Sequence, residues 1–455
     1  MRPGNSIAVN YPYPMRTIRP ERARMAFLVL TLFTLMAGDA WRYTVGWTGF
    51  AILVSLLAVA FIVILVVHRS RWSVGGLPYP LIAFLALTVL SLIWSFYPGA
   101  TALGLAATWS TVIGGVAVAV IFSWGEILRG LGLALKLVLG MSLLFEFVVA
   151  ALIRRPVLPP VPEPGIDYAN LPSPIPPMLY WSRNELFTVF DDGKIQGIVG
   201  NSTLLSFVAL VGIIVFGIQL AGGLVGKQLG LFWLAVAVVS LAFSRSATNI
   251  LGLVTVLAIV AAVLLVRRAG TPRAVVTTYV GLIVIGVGTL ATGLVLRNQV
   301  LGLLGKSPDL TNRTQIWRDV SALAEQRPVF GWGWVSYWVP WVKPFDNLAE
   351  NNGIRQLHAH NAWIDVWFQL GIIGLIIFGA LVLSTVSRAW LFAVDRPQVS
   401  PGNPGSFAPA SLLPLLLLVA LIVQSFAESR LLVEFGLFTL AVIAVKTKRP
   451  EWTPR

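Results

Sequence analysis

A series of long apolar runs limits what this chain can fold into more than any other feature. Each run is about 20 residues long, which is enough for a helix to cross a hydrocarbon core of about 30 Å. Inside that core every backbone polar group must be satisfied by the protein, and helices achieve this within one segment. We therefore predict an all-α, polytopic membrane protein with about 12 transmembrane helices at 24–38, 46–67, 78–96, 103–123, 130–152, 199–220, 229–243, 247–266, 274–296, 361–387, 409–427 and 430–446.

The composition agrees with a membrane protein and excludes several other classes. The chain is 57% hydrophobic and 11% charged, whereas a soluble domain carries roughly 25% charged residues. It contains no cysteine, which excludes disulfides and thiolate metal sites. Its three histidines leave little room for a multi-histidine metal site, so we predict no metal and no cofactor.

The distribution of charge predicts how the chain is oriented. If the N-terminus lies in the cytoplasm and twelve spans follow, more than half of the 33 lysines and arginines fall in cytoplasmic segments. The acids there are Glu21, Glu126, Asp395 and Glu451, so the net charge of +14 lies on one side. The positive-inside rule then predicts cytoplasmic termini in the inner or plasma membrane. The partner of this charge is the anionic lipid of the bilayer and not nucleic acid.

Two long segments between spans face outward in this topology. Segment 153–198 is rich in proline, which favours extended backbone. Segment 297–360 separates spans nine and ten; loops of that length are usually functional or disordered, and its tryptophans argue against disorder. We divide the chain into N-terminal helices with the proline-rich loop at 1–190, a core with the long loop at 191–388, and C-terminal helices with a basic tail at 389–455.

The long loop contains a candidate amphipathic helix at 311–327, which Thr311 or Asn312 can cap. The residues on its apolar face are Ile316, Val320, Leu323 and Ala324. Arg313 then lies in the first turn, near the outer membrane surface. A plain interfacial helix whose arginines bind lipid head groups fits the same pattern.

A tryptophan-rich stretch follows at 330–341, with the sequence FGWGWVSYWVPW. Its glycines permit a tight bend, and the flat faces of its aromatic side chains can stack on sugar rings. The alternative is an aromatic belt, because tryptophan is enriched where a membrane meets water.

Two of the three histidines stand where the tenth span begins. His358, His360 and Asn361 precede the helix, and Asp365 lies inside it, where an ionisable group is costly in lipid. Asp365 can orient a histidine or pair with an arginine. A histidine at a membrane boundary can also serve only as a hydrogen-bonded cap, and the sequence leaves both roles open.

Arg245 forms a very short outer turn with Ser244 and Ser246. A buried arginine needs an anion or a group of acceptors. Arg245 can therefore bind an anionic substrate, or it can pair structurally with Glu428 or Glu434, which flank another short outer turn.

The order of these pieces resembles the O-antigen ligase family. His360-Asn361, nine further residues and Gly371-Ile372-Ile373-Gly374 fit the family signature H-[N/S/Q]-x9-G-x2-[G/T/Y]. Other pieces come in the family's order. They are GIVGNSTLLS at 197–206 with Asn201, the S-R turn at Arg245, NRTQIW at 312–317 with Arg313 and Trp317, and RPVFGWGW at 327–334. The resemblance covers roughly 190–385.

This resemblance implies a GT-C-like fold and a glycosyltransferase that uses a lipid carrier. The implied donor is a glycan on a polyprenyl pyrophosphate, usually undecaprenyl. The implied acceptor is a hydroxyl of a lipid, a polymer or a protein on the outer face of the cytoplasmic membrane. The family includes O-antigen ligases, O-antigen-type polymerases and bacterial protein O-oligosaccharyltransferases. The HAHN sequence and the loop position favour a ligase.

The residues suit that chemistry. We predict that His360, with His358 as the fallback, takes the proton of the acceptor hydroxyl, because imidazole is a suitable base at neutral pH. We predict that Arg245 and Arg313 clamp the pyrophosphate leaving group, because guanidinium binds phosphate bidentately and stays charged. Direct attack would invert the anomeric centre. The supporting residues are His358, Asn361, Asp365, Trp317 and Asn201.

Other classes fit less well. A major-facilitator transporter would carry an aspartate in the turn after span two, and HRSRWSVGG at 68–76 lacks one. A non-catalytic scaffold has no reason to place Arg245, Arg313 and His360 together. A metal-dependent enzyme of this kind usually has acids in the first outer loop, where only Asp39 occurs. The pair Asp191-Asp192 is interpreted as an ordinary polar turn.

Overall fold

The computed structural model describes residues 22–163, 166, 168–171, 173–296, 299, 313–351, 354–395, 398–400, 403–404 and 407–448. In that part of the chain there are thirteen α-helices. They are α1 (Arg22–Met36), α2 (Gly38–Val67), α3 (Tyr79–Leu90), α4 (Pro98–Ile121), α5 (Trp124–Val148), α6 (Ser202–Ala221), α7 (Lys227–Ser244), α8 (Ala247–Arg268), α9 (Pro272–Val295), α10 (Arg313–Gln326), α11 (Ala362–Val394), α12 (Leu413–Ser425) and α13 (Glu434–Lys448).

Each predicted span coincides with one of these helices, and α10 is the additional helix of the long loop. Eight of the described helices are long and apolar enough to cross a membrane. The apolar helices Tyr79–Ile93 and Pro409–Ser425 are shorter, and α1 and α13 have 15 residues each. The helical, multi-pass character is confirmed, whereas the count of twelve spans and the orientation of the termini stay predictions.

The centre of the bundle is formed by α6, α12 and α13. Every residue of α13 from Phe435 to Val445 is buried, against α4 and α11 among others. Gly115 lets α4 come close, since a Cβ there would lie 2.9 Å from the Phe438 carbonyl oxygen. A helix that is apolar around its whole circumference is stable only when it is surrounded. At the other extreme, none of the described side chains of α9 is buried.

The proline-rich segment after α5 folds back onto that helix. Glu146, a buried residue of α5, accepts hydrogen bonds from Ser182 Oγ at 2.7 Å, from the Gln196 N–H at 2.8 Å and from the Gly197 N–H at 2.7 Å. Its two oxygens thus satisfy three donors of a loop that has little regular structure of its own. The described part of this segment is therefore anchored directly before α6 begins.

Two short antiparallel pairs occur in the described loops. β1 (Glu350–Asn351) pairs with β2 (Ile354–Arg355) directly before the two histidines, and β3 (Gln398–Ser400) pairs with β4 (Asn403–Pro404) between α11 and α12. The proposed capping residues Thr311 and Asn312 lie outside the described residues.

Ion pairs tie the beginning of α2 to the beginning of α13. Arg42 pairs with Asp39 at 2.5 Å and with Glu434 at 3.4 Å, and Arg430 also pairs with Glu434. These four side chains line a small cavity of about 30 Å³ together with apolar residues of α6. The charges within the group balance, so its role in the fold is to join the N-terminal helices to the C-terminal ones.

Candidate functional site

The site is organised by the N-terminus of α11. Asn361 is its N-cap and accepts hydrogen bonds from the N–H groups of Trp363 at 3.0 Å and Ile364 at 3.2 Å. Asn and Asp are preferred at this position because their side-chain oxygen satisfies the free donors of the first turn. His360 directly precedes the cap, and its φ of 49° lies in the left-handed region. Such backbone in a non-glycine residue costs of order 1–3 kcal/mol and is common at functional sites.

A break in α11 accommodates the loop at 327–334. Gly371 has φ 65° inside the helix. The chain before it is joined to the loop by hydrogen bonds from the Trp332 N–H to the Phe368 carbonyl at 3.0 Å and from the Gly333 N–H to the Gln369 carbonyl at 2.9 Å. A side chain on Gly371 would overlap the Val329 carbonyl. The glycines of RPVFGWGW and of the histidine motif are therefore two sides of one close backbone contact.

The tryptophans of the stretch 330–341 divide into buried and exposed ones. Trp334 is fully buried and donates from Nε1 to Thr108 Oγ1 of α4 at 2.9 Å. Trp338 is 2% exposed and donates to Asp365 Oδ1 at 3.1 Å. Trp334 packs into the helix bundle against Phe84 of α3, and Trp338 packs inside the loop against Phe345. The interpretations as a membrane-boundary belt and as a surface for sugar rings are therefore wrong for these two. Trp341 remains 73% exposed.

Asp365 joins three segments around the histidines. Besides Trp338, it accepts a hydrogen bond from the Ala359 N–H at 3.0 Å and one from Ser429 Oγ. Its side chain is completely buried. Ala359 lies between the two histidines, and Ser429 directly follows Glu428. The Asp365 carboxylate therefore fixes the distance between the histidine segment and the turn that carries Glu428.

Glu428 is the centre of the site. Its Oε1 lies 2.7 Å from Arg313 Nη2, and its Oε2 lies 3.1 Å from His360 Nδ1 and 3.9 Å from His358 Nε2. The structure thus brings Arg313, His358 and His360 together on one carboxylate, which is 8% exposed. Sequence reasoning considered Glu428 only as a structural partner of Arg245. The available signal was an acid in a very short turn between two apolar helices.

The two imidazole rings are held in different ways. His358 Nδ1 accepts the backbone N–H of His360 at 3.0 Å, and the ring centroids are 4.1 Å apart. His360 Nε2 lies 2.9 Å from Gln356 Oε1, so each of its nitrogens faces a side-chain oxygen. The Nδ1 lone pair of His358 is used for a hydrogen bond within the protein. His360 lies between the Glu428 carboxylate and the side-chain amide of Gln356, which can rotate to exchange its oxygen and nitrogen.

The surroundings change the protonation of two of these groups. Burial would raise the pKa of the Glu428 carboxyl, but the His360 ring and the Arg313 guanidinium hold that pKa well below its usual range. Burial, together with the neighbouring His360, lowers the pKa of His358 well below its usual value. At neutral pH the site therefore contains a carboxylate and an uncharged His358.

The helix that carries Arg313 has the predicted amphipathic form. α10 begins at Arg313 and buries Ile316, Val320 and Ala324 on one face. Trp317 donates from Nε1 to the Ala359 carbonyl at 3.1 Å. The R-x-x-x-W spacing therefore places an arginine on Glu428 and, one turn later, a tryptophan on the backbone next to His360.

The structure does not join Arg245 or Asn201 to the Glu428 cluster by any contact of the described residues. Arg245 ends α7 with φ 51° and contacts the Val189 carbonyl at 3.1 Å and Asp192 at 2.8 Å. Its predicted structural pairing with Glu428 or Glu434 is wrong, because those acids pair with other bases. Asn201 caps α6 by accepting from the Thr203 N–H at 2.8 Å. Among the described contacts neither residue touches Glu428.

The two histidines and Glu428 are also residue types that can bind a metal ion. His358, His360 and Glu428 place possible ligand atoms within 4.8 Å of one another. A metal would need the lone pair of His358 Nε2, which faces Glu428. Because Nδ1 of the same ring accepts the His360 N–H, the proton of the neutral ring lies on Nε2. The hydrogen bonds therefore favour an acid–base cluster over a set of metal ligands.

Comparison with known proteins shows what part of this site is similar to. Residues 230–379, which include Arg245, Arg313, His360 and Gly371, match the O-antigen ligase family. The chain is also 30% identical over 156 residues to the exopolysaccharide production protein ExoQ of Rhizobium meliloti (strain 1021). The aligned part is 33% of this chain and 34% of that relative, so the chain spans about a third of the relative's length. The resemblance predicted from the motifs is confirmed for this domain.

Proposed function

Because residues 230–379 match the O-antigen ligase family, we propose that this protein is a membrane glycosyltransferase. It transfers a glycan from a polyprenyl pyrophosphate carrier to a hydroxyl group of an acceptor. The bond between the anomeric carbon and the pyrophosphate breaks, a bond to the acceptor oxygen forms, and the acceptor proton passes to a base. The active site faces outward in the orientation that the charge distribution predicts.

The observation that carries this proposal is the shared carboxylate. Arg313 at 2.7 Å and His360 at 3.1 Å from Glu428 place a permanent cation and a potential base side by side. Pyrophosphate gains negative charge as it leaves, and a preorganised guanidinium stabilises that charge. The attacking hydroxyl loses its proton in the same step, which is the role of a histidine base.

In this mechanism Glu428 accepts the Nδ1–H of His360, so Nε2 takes the acceptor proton. Gln356 presently faces Nε2 at 2.9 Å, and it occupies the position that an acceptor hydroxyl would take. Arg245 is the second clamp of the proposal, and its exposed fraction of 40% leaves its guanidinium accessible to an anion. Asp365, Asn361 and Trp317 position the histidine segment.

The test is glycan transfer by purified protein from a polyprenyl-pyrophosphate oligosaccharide, with EDTA present. We expect His360→Ala to lower the rate by about 10²–10⁴-fold, and Arg313→Ala by about 10²-fold or more. The matched controls are His68→Ala, the third histidine, and Arg318→Ala, an exposed arginine of α10. Both controls should keep the rate of the unmodified protein.

Three results would contradict parts of this proposal. Full activity of folded His360→Ala would exclude His360 as the base and leave His358 as the candidate. Loss of transfer in EDTA that added Mg²⁺ restores would show a metal requirement. If the unmodified protein consumes no lipid-linked donor but moves solutes across liposomes, it is a transporter of the class considered above.

A second candidate activity is polymerisation of lipid-linked repeats, because the relative ExoQ is an exopolysaccharide production protein. A polymerase and a ligase would share the site and differ in acceptor. Donor supplied without any other acceptor distinguishes them. A ladder of longer lipid-linked products indicates a polymerase, and transfer only to an added lipid or protein indicates a ligase or an oligosaccharyltransferase.

A further inference from the structure

Two of the three groups proposed to act on the substrate, Arg313 and His360, contact the same side chain. Glu428 Oε1 accepts from Arg313 at 2.7 Å, and Oε2 faces His360 Nδ1 at 3.1 Å. The carboxylate is almost buried, whereas Arg313 and His360 are 22% and 19% exposed. The acid is therefore more deeply buried than the cation and the base that it contacts.

The backbone that carries Glu428 is held by hydrogen bonds that do not involve its carboxylate. Its own N–H donates to the Gln424 carbonyl at 2.8 Å, and the next residue, Ser429, donates to the buried Asp365. The contacts with Gln424 and Asp365 therefore fix the backbone at this turn. The Glu428 carboxylate and the Arg313 guanidinium can rearrange while that backbone stays in place.

A carboxylate and a phosphoryl group compete for an arginine. Both offer paired anionic oxygens to the same planar set of N–H donors. A phosphate that approaches Arg313 either displaces Glu428 or shares the guanidinium with a second negative charge within a few ångströms. In both cases Glu428 weakens binding of the phosphate.

We infer that Glu428 is an internal counter-anion of the donor site. It holds Arg313 and His360 while the site is empty, and the pyrophosphate of the donor takes Arg313 from it. Glu428 then keeps its contacts with the two histidines, accepts the Nδ1–H of His360 and leaves Nε2 as the base. Donor binding thus frees the carboxylate from Arg313, and this regulation rests on the proposed function of the same site.

A second acid on the same segment provides a matched control. Glu434 lies six positions further along and pairs with Arg42 and Arg430. It contacts neither His360 nor Arg313 in the described structure. Glu434→Gln removes an equivalent negative charge from an ion-paired position and leaves the proposed counter-anion intact.

The experiment measures two quantities for the full-length protein, Glu428→Gln and Glu434→Gln in detergent with EDTA. One is the Kd for inorganic pyrophosphate, and the other is kcat and KM for the lipid-linked donor as a function of pH. We expect Glu428→Gln to bind pyrophosphate at least about fivefold more tightly and to lower KM. Its kcat should fall at least about tenfold with a shifted pH profile. Glu434→Gln should match the unmodified protein in all of these.

The outcomes separate this inference from the proposed function. If Glu428→Gln binds pyrophosphate equally or more weakly while the unmodified protein transfers glycan, the counter-anion is excluded and the proposed function stands. If the unmodified protein transfers nothing but Glu428→Gln binds pyrophosphate more tightly, the proposed function fails and the counter-anion stands. If Glu428→Gln does not fold, the same measurement is made on Glu428→Asp, whose shorter side chain cannot reach both Arg313 and His360. Tighter pyrophosphate binding by it supports the inference, and equal or weaker binding overturns it.

Discussion

At the scale of single residues, the site depends on which nitrogen of each histidine carries a proton. His358 accepts a backbone N–H through Nδ1, and this requires the neutral ring. Burial and the neighbouring His360 lower the pKa of His358, so the native protein resists the protonation that an exposed histidine undergoes. The unfolded chain does not resist it, and the stability of the protein therefore depends on pH.

We predict that the free energy of unfolding falls as the pH drops below 6.5, the ordinary pKa of histidine. The folded pKa of His358 lies lower, so in that window the unfolded chain binds the additional proton, at up to about 1.4 kcal/mol per pH unit. His358→Asn should lose this part of the pH dependence, because the amide oxygen accepts the His360 N–H without titrating. Thermal unfolding in detergent between pH 7 and 5 measures it. An unchanged slope in His358→Asn would assign the effect to other groups.

The buried carboxylate of Asp365 accepts three hydrogen bonds and thereby holds three segments of the chain in one arrangement. Replacement by asparagine puts an amide NH₂ opposite at least one of its three donors, Trp338 Nε1, the Ala359 N–H or Ser429 Oγ. We expect Asp365→Asn to reduce stability by about 1–3 kcal/mol and to lower glycan transfer. Asp319→Asn, which changes only a contact with Gln315 on α10, should stay within about 0.5 kcal/mol of the unmodified protein. Equal stability of the two variants would show that Asp365 has no joining role.

At the scale of elements, the break in α11 is the decisive feature. Gly371 has φ 65°, and its Cα faces the carbonyl of Val329. The first part of α11 presents the histidine segment, and the second part continues as a long apolar helix. The loop 327–334 packs into the gap between them, which positions the tryptophan-rich stretch over the site.

We predict that Gly371→Ala destabilises the protein by more than about 2 kcal/mol. An alanine Cβ would overlap backbone atoms and would require a conformation that alanine rarely adopts. The control is Gly379→Ala in the same helix, where a Cβ meets nothing within 4 Å. That variant should be neutral or more stable by up to about 1 kcal/mol. Thermal unfolding of both in the same detergent provides the comparison, and similar losses would contradict a specific role of the break.

At the scale of the whole molecule, the helices at the two ends of the chain enclose the same core. α1 packs on α5 and α13, and α2 packs on α4. The pairs of Arg42 with Glu434 and of Arg24 with Glu126 connect segments that are distant in sequence. Because α13 is buried by helices from both halves, the region 230–379 is one part of a single bundle.

The predicted orientation can be measured directly, because the chain has no cysteine. We expect Gly270→Cys, between α8 and α9, to react with a membrane-impermeant maleimide only after cells are opened. Asp191→Cys, in the loop before α6, should react in intact cells. Both positions are exposed, so accessibility reports the side of the membrane. The reverse pattern would place the termini outside, and labelling of both in intact cells would refute the predicted number of spans between them.

The sequence by itself determined the helical membrane class, the position of each long helix and the order of the family motifs. These properties depend on local composition and spacing, which are visible without contacts. The helix at Arg313–Gln326 belongs to the same group, since its apolar periodicity is visible within a few turns.

Only the tertiary structure decided which charges meet. Glu428 lies 115 positions from Arg313 and 68 from His360 along the chain, and no local pattern predicts that pairing. The partner of Arg245 proved to be Asp192, and Trp334 and Trp338 proved to be interior residues. Ion pairs and burial are set by how α10, α11 and the turn after α12 pack together, and that packing is a property of the whole bundle.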